Sequence, residues 1–412
     1  MQENWQTTLD AAIDRRRDQL VGVRRHLHAH PEISGHEHET SLFLYQLLTD
    51  AGFDVRMGPN GRGLMVDRRD EPDAPRIALR ADIDALRIHD EKEVEYHSRH
   101  EGVMHACGHD VHSSIVLGAL LGLHELDDQD ELPWPVNTRG IFQPSEETAT
   151  GAAEMVEAGA LDGVDSILAT HVDPTRSVGQ IGLRAGLMTA NCDAMHFRLT
   201  GRGGHAARPH ETIDPIAAAA QLINSIYLTI PRATDSQDAV VVTIGQIQGG
   251  GNPNVIPELV ELRGTVRTLD LNVRRQTIDH IERICRGVAQ SSGTTIDVDF
   301  GSRIRSVRND AEMTEMVRNV ARNLLGAEQI DEISRASMGS EDFAVYLDHI
   351  PGAMFRLGSA KPGTSPPPLH TPTFDVDEAA IPIGAKLLAR AAIVWSDPTR
   401  LRRGPTVHAN VG

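Results

Sequence analysis

The residues with the clearest chemical potential lie in the segment MHACGHD, at positions 104–110. Cys107 and His109 stand two positions apart, on either side of Gly108. This spacing lets a thiolate and an imidazole point the same way from a strand end or a tight turn, which is half of a metal site. A buried thiol beside a histidine at the start of a helix is the alternative, since Asp110 is a good helix cap. The segment alone leaves both interpretations open.

A pair of acids, Glu146 and Glu147, follows the predicted strand NTRGIFQ and Pro144. Open α/β sheets place their sites at the carboxyl ends of strands. Adjacent residues in a turn point in different directions, so one carboxylate can bind metal while its neighbour acts as a general base on water. Two acids that merely favour the positive start of the next helix explain many such pairs, so this pair alone does not establish a site.

Two further histidines occupy similar places in the predicted structure. His171 is expected near the end of the apolar strand DSILATHV, and His370 lies in the Pro-rich loop KPGTSPPPLHTP. A lone histidine is by default an incidental residue. Here, however, three separate strand ends or turns and one distant loop each offer a nitrogen, sulfur or carboxylate ligand, which is how a closed set of metal ligands is normally assembled.

Composition narrows the classes of function. The chain has 412 residues, with 40 Lys plus Arg against 58 Asp plus Glu and a formal net charge of -18, which disfavours nucleic acid or an anionic membrane as a partner. The first residues, MQENWQTTLDAAIDRRR, are charged where a signal peptide would be apolar, so a cytoplasmic location is expected. The three cysteines cannot all pair and do not form a disulfide framework.

The order of predicted elements indicates two domains. Helical patterns alternate with short apolar strands up to about position 189, which favours an α/β sheet between helices. Between 190 and 303 the pattern changes to four alternating strands and two helices, as in a small sheet covered on one face. Helical and strand patterns then resume from 304 to 398 and a tail follows at 399–412. We therefore predict a catalytic domain in two pieces with a second domain inserted between them.

Eight motifs in order give the chain a resemblance to the M20 metallopeptidase family, in the branch of hippurate hydrolases, auxin-conjugate hydrolases and N-acyl-amino-acid aminoacylases. The resemblance covers nearly the whole chain. It is carried by RRHLHAHPE (24–32), LRADIDAL (79–86), MHACGHDVH (104–112), QPSEE (143–147), GRGGHAARPH (201–210), NVIP (254–257), SEDFA (340–344) and LHTPTFDVDE (369–378).

The resemblance implies an α/β fold of two domains: a phosphorylase/hydrolase-like catalytic domain and an inserted ferredoxin-like α+β domain that serves as lid and dimerisation surface. It also implies two divalent ions per subunit, with zinc expected and manganese, cobalt or nickel as other candidates. The implied metal ligands are Cys107, His109, Glu147, His171 and His370, and Glu146 is the implied general base.

Further roles follow from the same resemblance. His205 would donate a hydrogen bond to the oxyanion from the partner subunit of a homodimer, and Asn254 and Arg267 would bind the substrate carboxylate. Asp82 and Asp84 would support the metal ligands rather than bind metal. An exposed loop for His205, a surface ion pair for Arg267 and an ordinary strand-end turn for the two aspartates are the alternatives.

The predicted activity is metal-dependent hydrolysis of the amide bond of small N-acyl-amino acids, with Glu146 as base for the metal-activated water. A dipeptidase or a biosynthetic N-acetyl-amino-acid deacetylase of the same family is an alternative, and a silent binding protein on the same fold is another. A nucleophilic Cys107 with a histidine base is a further alternative, but the ligand-type residues near Cys107 favour metal coordination.

Overall fold

The computed structural model describes residues 4–68 and 74–401, so most of the predicted tail, from 402 onward, lies outside the described residues. The described residues fall into two compact units. The larger unit lies within Met1–Gly186, Arg308–Ser334 and Val345–Gly412, and the smaller within Leu187–Val307 and Arg335–Ala344.

The larger unit is built on an eight-stranded sheet in the order β1-β2-β4-β3-β5-β16-β6-β15. Its central strands β4, β3, β5 and β16 run parallel, and the outer strands include antiparallel pairs. The strands are β1 Asp54–Met57, β2 Leu64–Arg68, β3 Arg76–Asp82, β4 Asn137–Gln143, β5 Ser166–Ser177, β6 Ile181–Leu183, β15 Ile330–Glu332 and β16 Gly352–Ala360.

Helices cover this sheet and share one hydrophobic core with it. The central helix α4 is apolar from Ile115 to Leu123 and is buried from His109 to Leu123, as expected for a helix surrounded by other elements. The helices are α1 Asn4–Arg15, α2 Arg17–Ala29, α3 His38–Asp50, α4 His109–Asp128, α5 Gly151–Glu157, α8 Ala311–Leu325, α10 Ala380–Trp395 and α11 Pro398–Leu401.

The smaller unit has a four-stranded antiparallel sheet in the order β10-β12-β8-β13, which packs against α6 and α7. Helix α6 begins after Asp214 and α7 after Asp270, and both aspartates cap the first turn by accepting backbone N–H bonds. Its elements are β8 Asn191–Thr200, β9 Gly204–His205, α6 Pro215–Ala233, β10 Val240–Gly249, β11 Val255–Ile256, β12 Leu259–Thr268, α7 Leu271–Ser292 and β13 Thr295–Ile304. Three short elements lie where the chain passes between units: β7 Gly186–Leu187, β14 Arg308–Asn309 and α9 Ala344–Leu347.

The predicted two-domain α/β class is confirmed, and the domain bounds stay a prediction. The division into units differs from those bounds in one segment, since Arg335–Ala344 groups with the smaller unit. Backbone bonds explain this grouping: Ser337 N donates to Met188 O at 2.9 Å, and Ala190 N donates to Gly339 O at 3.0 Å.

Two local predictions were wrong. Apolar residues at helical spacing predict one helix from Thr8 to His30, but the segment forms two helices. The chain turns at Arg16, whose N–H donates to Ile13 O three residues back instead of four. The strand expected to end near His171 continues to Ser177. Its last residues pair with β16 alone, since the pairing of β5 with β3 ends at Arg80 and Ala169.

Candidate metal centre

The residues proposed as ligands come together at the edge where the parallel strands of the larger unit end. Cys107 precedes α4 and His109 is its first residue, whereas Glu147 lies in the turn after β4. His171 lies in β5, two residues beyond Ala169, the last residue of β5 that pairs with β3. His370 lies between β16 and α10, and its N–H donates to Ala106 O at 2.8 Å.

Distances within this cluster are short enough for shared coordination. The Sγ atom of Cys107 lies 3.5 Å from Nε2 of His171 and 3.4 Å from Nε2 of His370. The Oε1 atom of Glu147 lies 3.3 Å from Nε2 of His370 and 3.9 Å from Nε2 of His109. Two groups, Cys107 with His109 and His171, and Cys107 with Glu147 and His370, each have all their ligand atoms within 4.8 Å of one another.

The chemistry of these atoms fits divalent cations. Nε2 of His109 and Oε1 of Glu147 are buried, and neither has a hydrogen-bond partner among the described residues. Buried polar atoms are normally paired, so these two atoms are available to bind a cation. A thiol, three imidazoles and a carboxylate are the donor set that zinc and similar ions take. We conclude that these five residues are able to hold a metal.

Gly108 is required where the cluster begins. Its φ is +87°, in the left-handed region, and an added Cβ would come within 2.4 Å of the Val172 side chain. A glycine therefore allows the chain to turn sharply between Cys107 and His109 while β5 packs closely behind it.

Asp84 supports the cluster from behind. Nδ1 of His109 lies 2.8 Å from the backbone oxygen of Asp84 and 3.1 Å from its Oδ1, which leaves Nε2 facing the other ligands. Oδ2 of Asp84 accepts hydrogen bonds from Ser34 Oγ at 2.7 Å and from the backbone N–H of Glu147 at 3.0 Å. One carboxylate thus orients two of the candidate ligands, as outer-shell carboxylates do in metal sites.

Asp82 acts through His112, a residue to which the sequence prediction gave no role. Oδ1 of Asp82 lies 2.6 Å from Nδ1 of His112, whose Nε2 accepts a hydrogen bond from Val172 N at 2.9 Å. Arg80 Nη1 donates to the other oxygen of Asp82 at 2.8 Å. The chain of bonds fixes the end of β3 against the segment that carries His171. The signal available in sequence was the final histidine of MHACGHDVH.

Burial and neighbouring charges perturb the titration of the cluster. Burial, assisted by the Glu147 carboxylate, raises the pKa of the Cys107 thiol to about 12. Burial lowers the pKa of His171 well below its usual value, with the Arg356 charge acting in the same direction. For His109, burial lowers the pKa, but the charges of Asp82 and Cys107 and the hydrogen bond to Asp84 together outweigh burial, so the pKa is held well above its usual value. A bound cation favours thiolate and neutral imidazole, so metal binding would release protons here.

Arg24 links two segments that carry candidate ligands. It is fully buried, and its Nε donates to Oδ2 of Asp110 at 2.9 Å, directly after His109 in the chain. Its two other nitrogens donate to Oδ1 of Asp375 at 2.7 Å and to Oε1 of Glu378 at 3.1 Å, both in the segment after His370.

The remaining predicted residues lie in the smaller unit. His205 is exposed in β9, and its Nδ1 accepts a hydrogen bond from Ala207 N at 3.0 Å, so Nε2 carries the proton of the neutral ring. Asn254 is also exposed, and its backbone oxygen accepts from Ala206 N at 3.0 Å. Arg267 is half-buried in β12, and its Nη1 donates to Met338 O at 3.1 Å.

Comparison with known proteins agrees with a metal-binding hydrolase. Residues 78–393 match the model of Peptidase family M20/M25/M40. N-acetyl-L-cysteine deacetylase of Bacillus subtilis is 38% identical over 364 residues, which are 88% of this chain and 85% of that protein. An IAA-amino acid hydrolase of Arabidopsis thaliana is 37% identical over 380 residues, 91% of this chain and 85% of that protein.

A solved structure agrees as well. The crystal structure of a Bacillus subtilis protein described as a dinuclear metal binding peptidase from the M20 family has a TM-score of 0.77 and 32% identity, covering 93% of this chain and 99% of that one. The chain therefore belongs to the M20/M25/M40 peptidase family. It is a metal-binding hydrolase of amide bonds, which confirms the predicted enzyme class over a silent binding protein. Among the described residues, no helix is long and apolar enough to cross a membrane.

Proposed function

We propose that this enzyme hydrolyses the amide bond of small N-acyl-amino acids, with Glu146 as the general base. The convergence of Cys107, His109, Glu147, His171 and His370 at one sheet edge is the observation that carries the proposal. The five residues would hold two divalent cations, and Cys107 belongs to both groups of ligand atoms. When bound, such ions polarise a carbonyl group and lower the pKa of water.

The protein residues have separate tasks in this proposal. Glu146 is half-buried next to the ligand Glu147, and one of its carboxylate oxygens also groups with atoms of His109 and Glu147 within 4.8 Å. From there its carboxylate takes a proton from the attacking water and returns it to the nitrogen of the leaving amine. Because Ala207 N donates to Nδ1 of His205, the Nε2–H of that ring is available to donate to the carbonyl oxygen as negative charge develops.

Substrate recognition in the proposal uses the smaller unit. Asn254 and Arg267 bind the α-carboxylate, a group that suits the planar guanidinium. The named relatives support the substrate class, since one is an N-acetyl-L-cysteine deacetylase and another an IAA-amino acid hydrolase. Both names describe an acyl group joined to an amino acid.

We also propose a homodimer formed through the smaller unit. Strand β10 lies at one edge of its sheet and, within the described part of the chain, pairs only with β12. Exposed strand edges readily pair with another chain. Apolar side chains are exposed on the same strand and on α6, including Ile247 at 59% and Leu228 at 71%. An apolar surface beside an open strand edge is typical of a subunit interface.

The proposal is tested by a hydrolysis panel. Metal-stripped protein would be supplied with zinc, manganese, cobalt or nickel and offered N-acetyl-L-cysteine, other N-acetyl- and N-benzoyl-amino acids, and matched dipeptides. We expect no turnover without metal and hydrolysis of the N-acyl substrates once metal is restored. Cleavage of dipeptides alone would instead make the enzyme a dipeptidase, and full activity in metal-free protein would remove the metal from the mechanism.

A further inference from the structure

The turn that carries Glu146 has an unusual backbone. Ser145 has a φ of 57° and Ala149 a φ of 58°, so two residues other than glycine are left-handed within five positions. Side chains with a Cβ disfavour this conformation, and it persists where the surrounding structure imposes it. The conformation of Ser145 sets the direction in which the chain enters Glu146 and Glu147, so whatever holds Ser145 also aims these two carboxylates.

Glu37 is the group that holds Ser145. It lies at the start of α3 and is completely buried. Its Oε1 accepts a hydrogen bond from Ser145 N at 2.8 Å and another from Ser145 Oγ at 3.1 Å. The Oγ atom in turn accepts from the backbone N–H of Gly35 at 3.0 Å. The backbone and side chain of one strained residue are therefore both bound to a single carboxylate more than a hundred positions away.

Arg62 binds both residues, and Glu37, Ser145 and Arg62 together form a clamp. Its Nη1 donates to Ser145 Oγ at 3.1 Å and to Oε2 of Glu37 at 3.4 Å, so the buried negative charge has a partner. Its Nη2 donates to Glu154 of α5 at 3.0 Å. A buried carboxylate costs much free energy unless it is paired and hydrogen-bonded, and Glu37 meets both conditions. Hydrogen bonds to charged groups are also stronger than neutral ones, which suits a group that must hold a disfavoured backbone.

The turn is held on its other side as well. Glu147 N donates to Oδ2 of Asp84 at 3.0 Å. The backbone N–H groups of Ser145 and Glu147, the residues on either side of Glu146, are thus each bound to a buried carboxylate. A general base must lie within hydrogen-bond reach of the proton that it removes, and small displacements of such a group reduce the rate steeply.

We propose that Glu37 is a positioning residue for Glu146, which it aims by holding Ser145 in the left-handed conformation. The inference rests on the proposed role of Glu146 as base. It gives a positioning role to Glu37, within the segment HPEISGHEHE at positions 30–39. A purely structural role, in which Glu37 only attaches α3 to the sheet, makes different predictions for substitutions at Ser145.

The first test is Glu37→Gln, which preserves shape and leaves Arg62 paired with Glu154. We expect amide hydrogen exchange to become faster in residues 144–150, where the N–H of Ser145 loses its charged acceptor, and at Gly35, whose N–H also donates to Oε1 of Glu37 at 3.0 Å. Exchange should stay unchanged elsewhere. We expect kcat to fall about 10²-fold with little change in KM or metal content, since a misaimed base affects the transition state alone. Unchanged exchange in this segment, or faster exchange with normal kcat, would overturn the proposal.

The second test separates positioning from structure. Glycine tolerates the left-handed conformation without a clamp and alanine does not, although both lack the hydroxyl. In the Glu37→Gln background, Ser145→Gly should therefore recover kcat by about tenfold and Ser145→Ala should recover none. Equal effects of the two substitutions would leave Glu37 as a structural anchor only. If Glu37→Gln does not fold, the same comparison in the unaltered chain decides, with Ser145→Gly expected to retain the higher kcat.

Two variants distinguish the base role of Glu146 from the positioning role of Glu37. Near-normal turnover by Glu146→Gln would refute the base assignment, and the positioning role would fall with it. Inactive Glu146→Gln together with an undiminished kcat in Glu37→Gln would refute the positioning role alone.

Discussion

The Sγ atom of Cys107 lies 3.5 Å from Nε2 of His171, although 64 positions separate the two residues in the chain. Nδ1 of His171 lies 2.8 Å from Val172 O, so the ring donates there and presents the lone pair of Nε2 to the sulfur. Burial favours the same neutral state of the ring by lowering its pKa. Neutral imidazole is the form in which histidine binds metals, so the contact places two ligands in position before an ion arrives.

Replacement of the proposed base should separate catalysis from metal binding. Glu146→Gln keeps the size of the side chain and removes its ability to accept a proton, so we expect kcat to fall by about 10²- to 10⁴-fold with metal content unchanged. Steady-state kinetics and metal analysis of the same sample measure both. Glu157→Gln, at an exposed position of α5, is the matched control and should behave like the unaltered chain.

Asp84→Asn should weaken metal binding without removing a ligand. The carboxylate faces three donors, on His109, Ser34 and the backbone of Glu147, and an amide nitrogen would oppose one of them. We expect metal affinity to fall about 10- to 100-fold, measured by competition with a coloured chelator. Asp50→Asn, at the exposed end of α3, is the control. Unaltered affinity in Asp84→Asn would argue against its orienting role.

Two adjacent arginines should differ sharply in their contribution to stability. Arg24 is fully buried and pairs with Asp110, Asp375 and Glu378, so Arg24→Met removes the cation that compensates the buried Asp110 and two further carboxylates. We expect a loss of about 3–5 kcal/mol in the free energy of unfolding. Arg25 forms an ion pair with Glu378 but its side chain is 44% exposed, so Arg25→Met should cost about 0–1 kcal/mol. Urea unfolding of both variants checks this, and similar losses would contradict the assigned role of Arg24.

Acid should destabilise the fold partly through Asp90. Burial raises the pKa of this carboxyl, but hydrogen bonds from His28, Lys92 and Ser98 outweigh burial and hold the pKa below its usual value of 3.8. A carboxyl whose pKa is depressed in the folded state stabilises the protein above its ordinary pKa, and that stability is lost as the pH falls below it. The urea midpoint should therefore fall as pH decreases from about 5 to 3. Asp90→Asn should be less stable at pH 6 and show a shallower decline, and parallel curves for the two proteins would count against this contribution.

The sequence by itself determined the class of fold and the ligand types. Strand β4 was predicted with the bounds that the structure has, since its apolar residues and the following Pro144 define it locally. Cys107, His109, Glu146 and Glu147 were candidates because they lie at predicted ends of elements, and the family motifs gave them their proposed roles. The short outer strands β1, β2, β6 and β15 were missed, because strands of three to five residues at a sheet edge carry too few side chains for a clear alternation.

Only the tertiary structure decided which distant residues meet. Glu37 binds Ser145 across 108 positions and Arg24 binds Asp375 across 351, and neither pair leaves a periodic signal in the sequence. The left-handed backbone conformation of Ser145 was also decided by the tertiary structure, since a serine in the sequence does not predict a positive φ. Local patterns record how a segment buries its own apolar face, whereas a metal centre and the carboxylates that orient it depend on where the folded sheet brings the ends of separate segments together.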